Sequence, residues 1–313
     1  MSAATTTRAH ATACIAPRPR MRGVAFLLVL WVIAMLSILL GSFAMVARTE
    51  NLQARHLFDS TQARYAAEAG LNLAVFELRK ADPNMRWVGD GRAYTFGYGE
   101  AEIEVRIHDD SGKIDINAPN PERLSALFAA RGLELEQAEA LAASIVDWID
   151  PDDLAQPNGA EIDDYEALGL PYGPKNAPFD TVSELQQVLG MNYELYSRIE
   201  PSLTIYSGRS DPNIGFADIP TLMAAGCTEE QATLIVQLRQ SIPPGDPAAN
   251  EIPGCDGVTP IVAGGGGLTY SVESRAKLPN GASTTLDATI RMGGVNAAGR
   301  PYVILRWRDG ESS

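Results

Sequence analysis

The stretch DWIDPDDLAQPNGAEIDDY, residues 147–165, crowds acidic side chains between two prolines and an Asn-Gly pair. Asp150, Asp152, Asp153, Glu161, Asp163 and Asp164 offer carboxylate oxygens over a short span. Calcium takes about 6–8 oxygen ligands from carboxylates, carbonyls and water on a flexible loop. Pro151 and Pro157 stiffen the stretch, and Asn158-Gly159 can turn it back so that its two acidic clusters converge. EF-hand spacing is missing, and the lack of His and Cys argues against zinc. On the residues alone two outcomes stay open, a solvated loop or one that holds a cation. The apolar anchors Trp148, Ile149 and Tyr165 favour the cation, because they draw both ends toward a core and crowd like charges.

The elements that must position this loop read as short helices. Asn120-Pro121 predicts an N-cap and first helical residue, with Gly132 as the stop. Leu141, Ile145, Trp148 and Ile149 form an apolar stripe leading into the loop. Thr181-Val-Ser-Glu184 and Thr228-Glu-Glu-Gln231 match the capping box, and Gly190 is expected to close the first of those helices. LSALFAARGLELEQAEALAASIV and IPTLMAAGCTEEQATLIVQLR repeat the order helix, glycine turn, helix.

Alternating segments flank the helical region on both sides. RAYTFGYGEAEIEVRIHDD predicts a β-hairpin turning at Gly97-Tyr98-Gly99. GLTYSVESRAKL, STTLDATIRM and RPYVILRWRD alternate as well, with Pro279-Asn280-Gly281 as a turn. The fold class is therefore α+β, with sheet segments at 83–116 and 246–313 bracketing a helical insert at 117–245. The Pro/Gly-rich run 241–267 supplies the return connection.

At the N-terminus, residues 1–22 carry Arg8, Arg18, Arg20 and Arg22 and no acid, and Gly23 to Ala47 carry no charge at all. A helix over Val24 to Ala47 extends about 36 Å, against a hydrocarbon core of about 30 Å. Arginines before the span put its start in the cytoplasm and the remainder outside. Ser42-Phe43-Ala44 offers an ordinary signal cleavage site, but the apolar run is longer than a signal peptide needs. Leu71, Ala74, Val75 and Leu78 continue a helical face up to the stop at Asp82-Pro83, which predicts one transmembrane and stem helix over 24–82.

This arrangement resembles the class III signal of type IV pilins and pseudopilins. The resemblance implies a leader, 1–23, cut after Gly23 by a prepilin peptidase that N-methylates Val24. Most members carry a glutamate at mature position five, where this chain has Leu28. A carboxylate in lipid marks a site that meets a partner, so its loss suits a subunit with nothing ahead of it, at a tip.

Residues 109–207, from DDSGKIDINAPN through VDWIDPDDLAQPNGAEIDDYEAL to PYGPKNAPFDTVSELQQVLGMNYELYSRIEPSLTIYSG, are similar to the helical insert of the K-type minor pseudopilins of type II secretion systems. The likeness implies a pilin-like long helix on an antiparallel sheet with a large inserted all-α domain of helix-hairpin-helix or SAM-like kind. It implies Ca2+ held by the six acids named above, with Asn176 and Asp180 in second rank. It also implies a non-enzymatic role at the pseudopilus tip, in the inner membrane with a periplasmic head. The partners implied are I- and J-type pseudopilins, the inner-membrane secretion platform and the prepilin peptidase. The alternative is a minor tip pilin of a type IV pilus, in adhesion or DNA uptake.

Composition excludes other classes. A net charge of -14 over 313 residues opposes nucleic-acid binding, which needs a basic face. Glu134, Glu136, Glu229 and Glu230 follow the glycine turns where DNA-binding hairpins place cations. No nucleophile–base pair is evident, and His56 and His108 read as isolated surface residues. Apart from Cys14 in the leader, Cys227 and Cys255 are an even pair, available to bridge in an oxidising compartment or to stay as buried thiols.

Overall fold

The computed structural model describes residues 24–256, 266–293, 299 and 301–310. The expected leader, with the cleavage after Gly23, lies outside them. The chain divides into two compact units, one ending at Phe58 and the other running Asp59–Ser313.

Helix α1 spans Val24–Leu78. In the first unit each of its residues is exposed, and its apolar segment is long enough to cross a membrane. An apolar surface of that length, with no protein packed on it, fits a single-pass anchor. Leu28 lies in this segment, 61% exposed.

In the second unit α1 buries Ala63, Ala66, Ala67, Gly70, Leu71, Ala74, Val75 and Leu78. These recur at the helical period, so one stripe faces a sheet. Small residues let the backbones approach closely. A Cβ on Gly70 would run into the side chains of Ser274 and Ile103.

The sheet is antiparallel, in the order β1-β2-β5-β6-β7. Its strands are β1 Asp90–Tyr98, β2 Ala101–Asp109, β5 Thr269–Lys277, β6 Ser283–Met292 and β7 Tyr302–Asp309. Ile103, Val105, Ile107, Val272, Ala276, Leu286, Ala288 and Ile290 meet the α1 stripe in one core. The first hairpin turns one residue later than expected. Tyr98 pairs with Ala101, so the turn is Gly99-Glu100, with Gly99 at φ 60°. A two-residue turn that opens on a glycine of positive φ matches strand twist, which explains why the second glycine is used.

Between Asp109 and Thr269 the chain builds the insert. Its helices are α2 Pro121–Ala130, α3 Leu135–Ile149, α4 Ile162–Ala167, α5 Tyr193–Ile199, α6 Ile219–Ala224 and α7 Glu229–Ser241. Gly132 and Gly226 take φ of 95° and 105° between α2 and α3 and between α6 and α7, a region that favours glycine. The Thr181 box opens only a 3-10 turn, Val182–Gln187, because Val188 turns extended and buries. The insert is not wholly helical. Ile114–Asp115 (β3) and Leu203–Thr204 (β4) pair in parallel where the chain enters and leaves the first helical core.

That core holds Phe128, Leu141, Ile145, Trp148, Tyr165 and Phe179. A second, smaller core gathers Leu222, Ala232, Ile235 and Ile252, and a disulfide joins Cys227 to Cys255 beside it. Buried Arg239 fastens α7 to the sheet by donating to the carbonyls of Gly215, Ala217 and Asp90. Arg92 grips the Asp90 carboxylate and donates to the carbonyls of Arg239 and Ile242.

Candidate metal centre

The acidic loop leaves the C-terminal turn of α3 and re-enters helix at α4. Asn158 sits at φ 66°, and the Gly159 amide donates to the Gln156 carbonyl at 2.8 Å, so the loop does turn back at Asn-Gly. Trp148 and Tyr165 bury at its two ends, with their rings 6.2 Å apart. Trp148 also stacks on Phe179 at 6.0 Å. These contacts bring three segments together: the end of α3, the start of α4 and the run 175–180.

The sequence candidates separate into two groups. Glu161 is 5% exposed, and neither of its carboxylate oxygens has a hydrogen-bond partner. Asp150 Oδ1 is buried and unpartnered, and so is the side-chain oxygen of Asn176. Asp153 joins this group through Asn176, whose Nδ2 donates to Asp153 Oδ1 at 3.2 Å. Asp152 is exposed and accepts the Leu154 amide at 2.9 Å. Asp164 is committed elsewhere, since its Oδ2 accepts the Glu161 amide at 3.0 Å in the first turn of α4. Asp163 is exposed on the same turn. The second-rank Asp180 is held by Lys175 at 2.7 Å.

Buried oxygens without donors are costly, more so when charged. The cost appears in the Glu161 carboxyl, pushed up to about 7 first by burial and then by Asp147, Asp150, Asp153 and Asp152. Asp150 is raised too, by burial and by Asp152. Two carboxylates and one carboxamide are therefore short of positive charge, which is the donor chemistry calcium takes. Among the described residues no three of His, Cys, Asp or Glu already form a metal-holding group. The third residue with an orphaned oxygen is an asparagine. Sequence reasoning ranked Asn176 behind the acids. Its signal is local, because it holds φ 50°, a conformation that asparagine tolerates better than most residues.

His108 departs from the surface position expected for it. It is half-buried, and it lines a groove with Lys113, Glu200, Asp218, Arg306 and Arg308. Burial, then Lys113, lowers its imidazole to about 4.

A stem helix on an antiparallel sheet, with a helical domain carried between the second and third strands of the fold's main sheet, defines a pilin-like protein with an inserted module. Residues 105–208 match the family model described as type II secretion system (T2SS), protein K. The type II secretion system protein K of Klebsiella pneumoniae is 31% identical over 205 residues, covering 58% of this chain and 62% of that protein. That of Pectobacterium carotovorum subsp. carotovorum is 27% identical over 205 residues, covering 59% and 62%. The chain thus spans 62% of the length of each of these relatives. In fold it is similar to a chain in the crystal structure of the GspK-GspI-GspJ complex from the enterotoxigenic Escherichia coli type 2 secretion system. The TM-score is 0.52 at 20% identity, over 85% of this chain and 99% of that one. Over residues 105–208 the chain thus carries a domain that matches the type II secretion system protein K family model.

Proposed function

We propose that this chain is a minor pseudopilin that caps the tip of a periplasmic type II secretion pseudopilus and supports protein export across the outer membrane. The observation that carries this is the protein K domain, residues 105–208, set inside a pilin-like scaffold. The apolar half of α1 anchors the chain in the inner membrane with its N-terminus in the cytoplasm. A prepilin peptidase cuts after Gly23 and methylates Val24. Leu28 leaves no intramembrane carboxylate for a preceding subunit to neutralise, which suits the first position of a filament. The insert adds bulk above the sheet and blocks further stacking. The likeness to a chain solved with GspI and GspJ supports I- and J-type pseudopilins as its neighbours. Co-expression of the tagged full chain with I- and J-type pseudopilins in detergent tests this. A ternary complex is expected, and purification free of both partners overturns the tip assignment.

In the same reading the acidic loop holds calcium through Asp150, Asp153, Glu161 and Asn176. The ion neutralises the buried carboxylates and locks the loop against α3. Binding at 100 times Kd adds about 2.7 kcal/mol to stability. The full chain should therefore melt higher in CaCl2 than in EGTA. D150A should lose that difference, whereas D163A should keep it. Equal melting of the wild type in both buffers removes calcium from the proposal.

A further inference from the structure

Asp147 is fully buried at 0% exposure, in the last turn of α3. Unlike Glu161, neither of whose carboxylate oxygens has a partner, it has donors, both from the backbone of the loop. Its Oδ1 accepts the Gln156 amide at 3.0 Å, and its Oδ2 accepts the Ala160 amide at 2.8 Å. The Asn-Gly turn lies between those two amides, so residues 156–160 curl around a single carboxylate. Gly159 completes the fit, because a Cβ there would run into the Asp147 carboxylate. Ala160 is 2% exposed and directly precedes Glu161. The bond that fixes Ala160 therefore also fixes where the Glu161 carboxylate enters the cluster.

Resting on the calcium reading above, we infer that Asp147 is the positioning residue of the site. It shapes the loop before the ion arrives and leaves ligation to Asp150, Asp153, Glu161 and Asn176. A carboxylate that accepts two backbone amides orients its neighbours as outer-shell groups do, and losing such a group typically weakens metal affinity about 10–100-fold.

The test uses the full chain in detergent with two variants that separate geometry from charge. D147N removes the charge. D147E keeps it but moves the carboxylate away from the two amides. Both variants are expected to weaken CaCl2 binding at least about tenfold in titration calorimetry. In EGTA, both should speed hydrogen exchange at the Gln156 and Ala160 amides, a change that needs no metal. Terbium luminescence lifetimes in H2O and D2O count the waters on the bound ion, and D147N should leave that count unchanged. Wild-type affinity in D147E overturns the inference, because charge alone would then suffice. An extra water in D147N also overturns it, because Asp147 would then be a ligand. If both variants misfold, Gly159→Ala presses on the same carboxylate from the loop side, and unchanged affinity there counts against positioning. Failure of the calcium reading looks different. The wild type would bind no CaCl2, while the exchange rates would still report on Asp147.

Discussion

Asn117 holds Phe179 by both of its backbone groups. The Asn117 Oδ1 accepts the Phe179 amide at 2.7 Å, and its Nδ2 donates to the Phe179 carbonyl at 2.9 Å. A side-chain amide thus pairs with a segment 62 residues away in the manner of a neighbouring strand. Phe179 stacks on Trp148, and Asn176 lies three residues before it, so this grip carries the 175–180 run to the acidic loop.

Removing the grip tests that role. Asn117→Ala deletes two hydrogen bonds and leaves two backbone groups short of a partner, worth about 1–3 kcal/mol each when buried. The full chain should melt several degrees lower. If the grip positions Asn176, the calcium-induced rise in melting should shrink as well. A variant that melts lower with the calcium response intact would confine Asn117 to holding the fold.

A pH series separates buried Glu161 from half-buried His108, two groups of opposite sign. Burial and the neighbouring aspartates push the Glu161 carboxyl up to about 7 from its ordinary 4.5. Between those values the folded state holds a proton that the unfolded chain has released. Stability contributed by this group therefore falls as pH rises through that window. His108 acts the other way. Burial and then Lys113 lower it to about 4 from 6.5, while Asp218 and Asp110 oppose and Arg239 assists. The stability from keeping His108 neutral is complete above about 6.5 and is lost as pH falls toward 4. In EGTA, the melting temperature of E161Q minus that of wild type should rise between pH 5 and pH 7 and level off above. A flat difference sinks the assignment of Glu161 as a strained carboxyl.

The bridge between Cys227 and Cys255 closes 28 residues of chain around the smaller core of α6 and α7. Constraining the unfolded chain over such a loop is worth about 3–4 kcal/mol in the chain-entropy account. The double variant C227S/C255S should speed amide exchange at Ala232 and Ile235 by two to three orders of magnitude, with Val105 and Val272 in the sheet much less affected. Equal protection in both proteins would show that the small core needs no staple.

Much of the scaffold was legible because its signals are local. The period of Leu71, Ala74, Val75 and Leu78 sets the buried face of α1, since side chains three and four apart share a side of a helix. Strict alternation in Ile103, Val105 and Ile107 sets the faces of β2 for the same kind of reason. The Thr228 box did start a helix, whereas the Thr181 box yielded only a short 3-10 turn, because burial of Val188 outweighed the cap. The hairpin was misplaced by one residue, since either glycine of Gly97-Tyr98-Gly99 satisfies the turn locally and only the register chooses between them.

The candidate site was legible as composition and not as a ligand set. Six acids in one loop announce a concentration of charge, but what each oxygen does depends on what folds against it. Asp164 is occupied by the Glu161 amide, and Asp180 is occupied by Lys175. Asn176 enters the cluster only because Asn117 brings its segment there.

Spacing along the chain was enough to specify the apolar helix, the interrupted sheet and the turning acidic loop, because backbone geometry repeats every 3.6 or 2 residues. The tertiary structure alone decided which carboxylates are supplied with amides and which are left without. Hydrogen-bond supply and desolvation come from residues far apart in sequence, and no local pattern records them. Asp147 and Glu161 are both acidic and both buried, yet one is anchored by two backbone donors and the other has none.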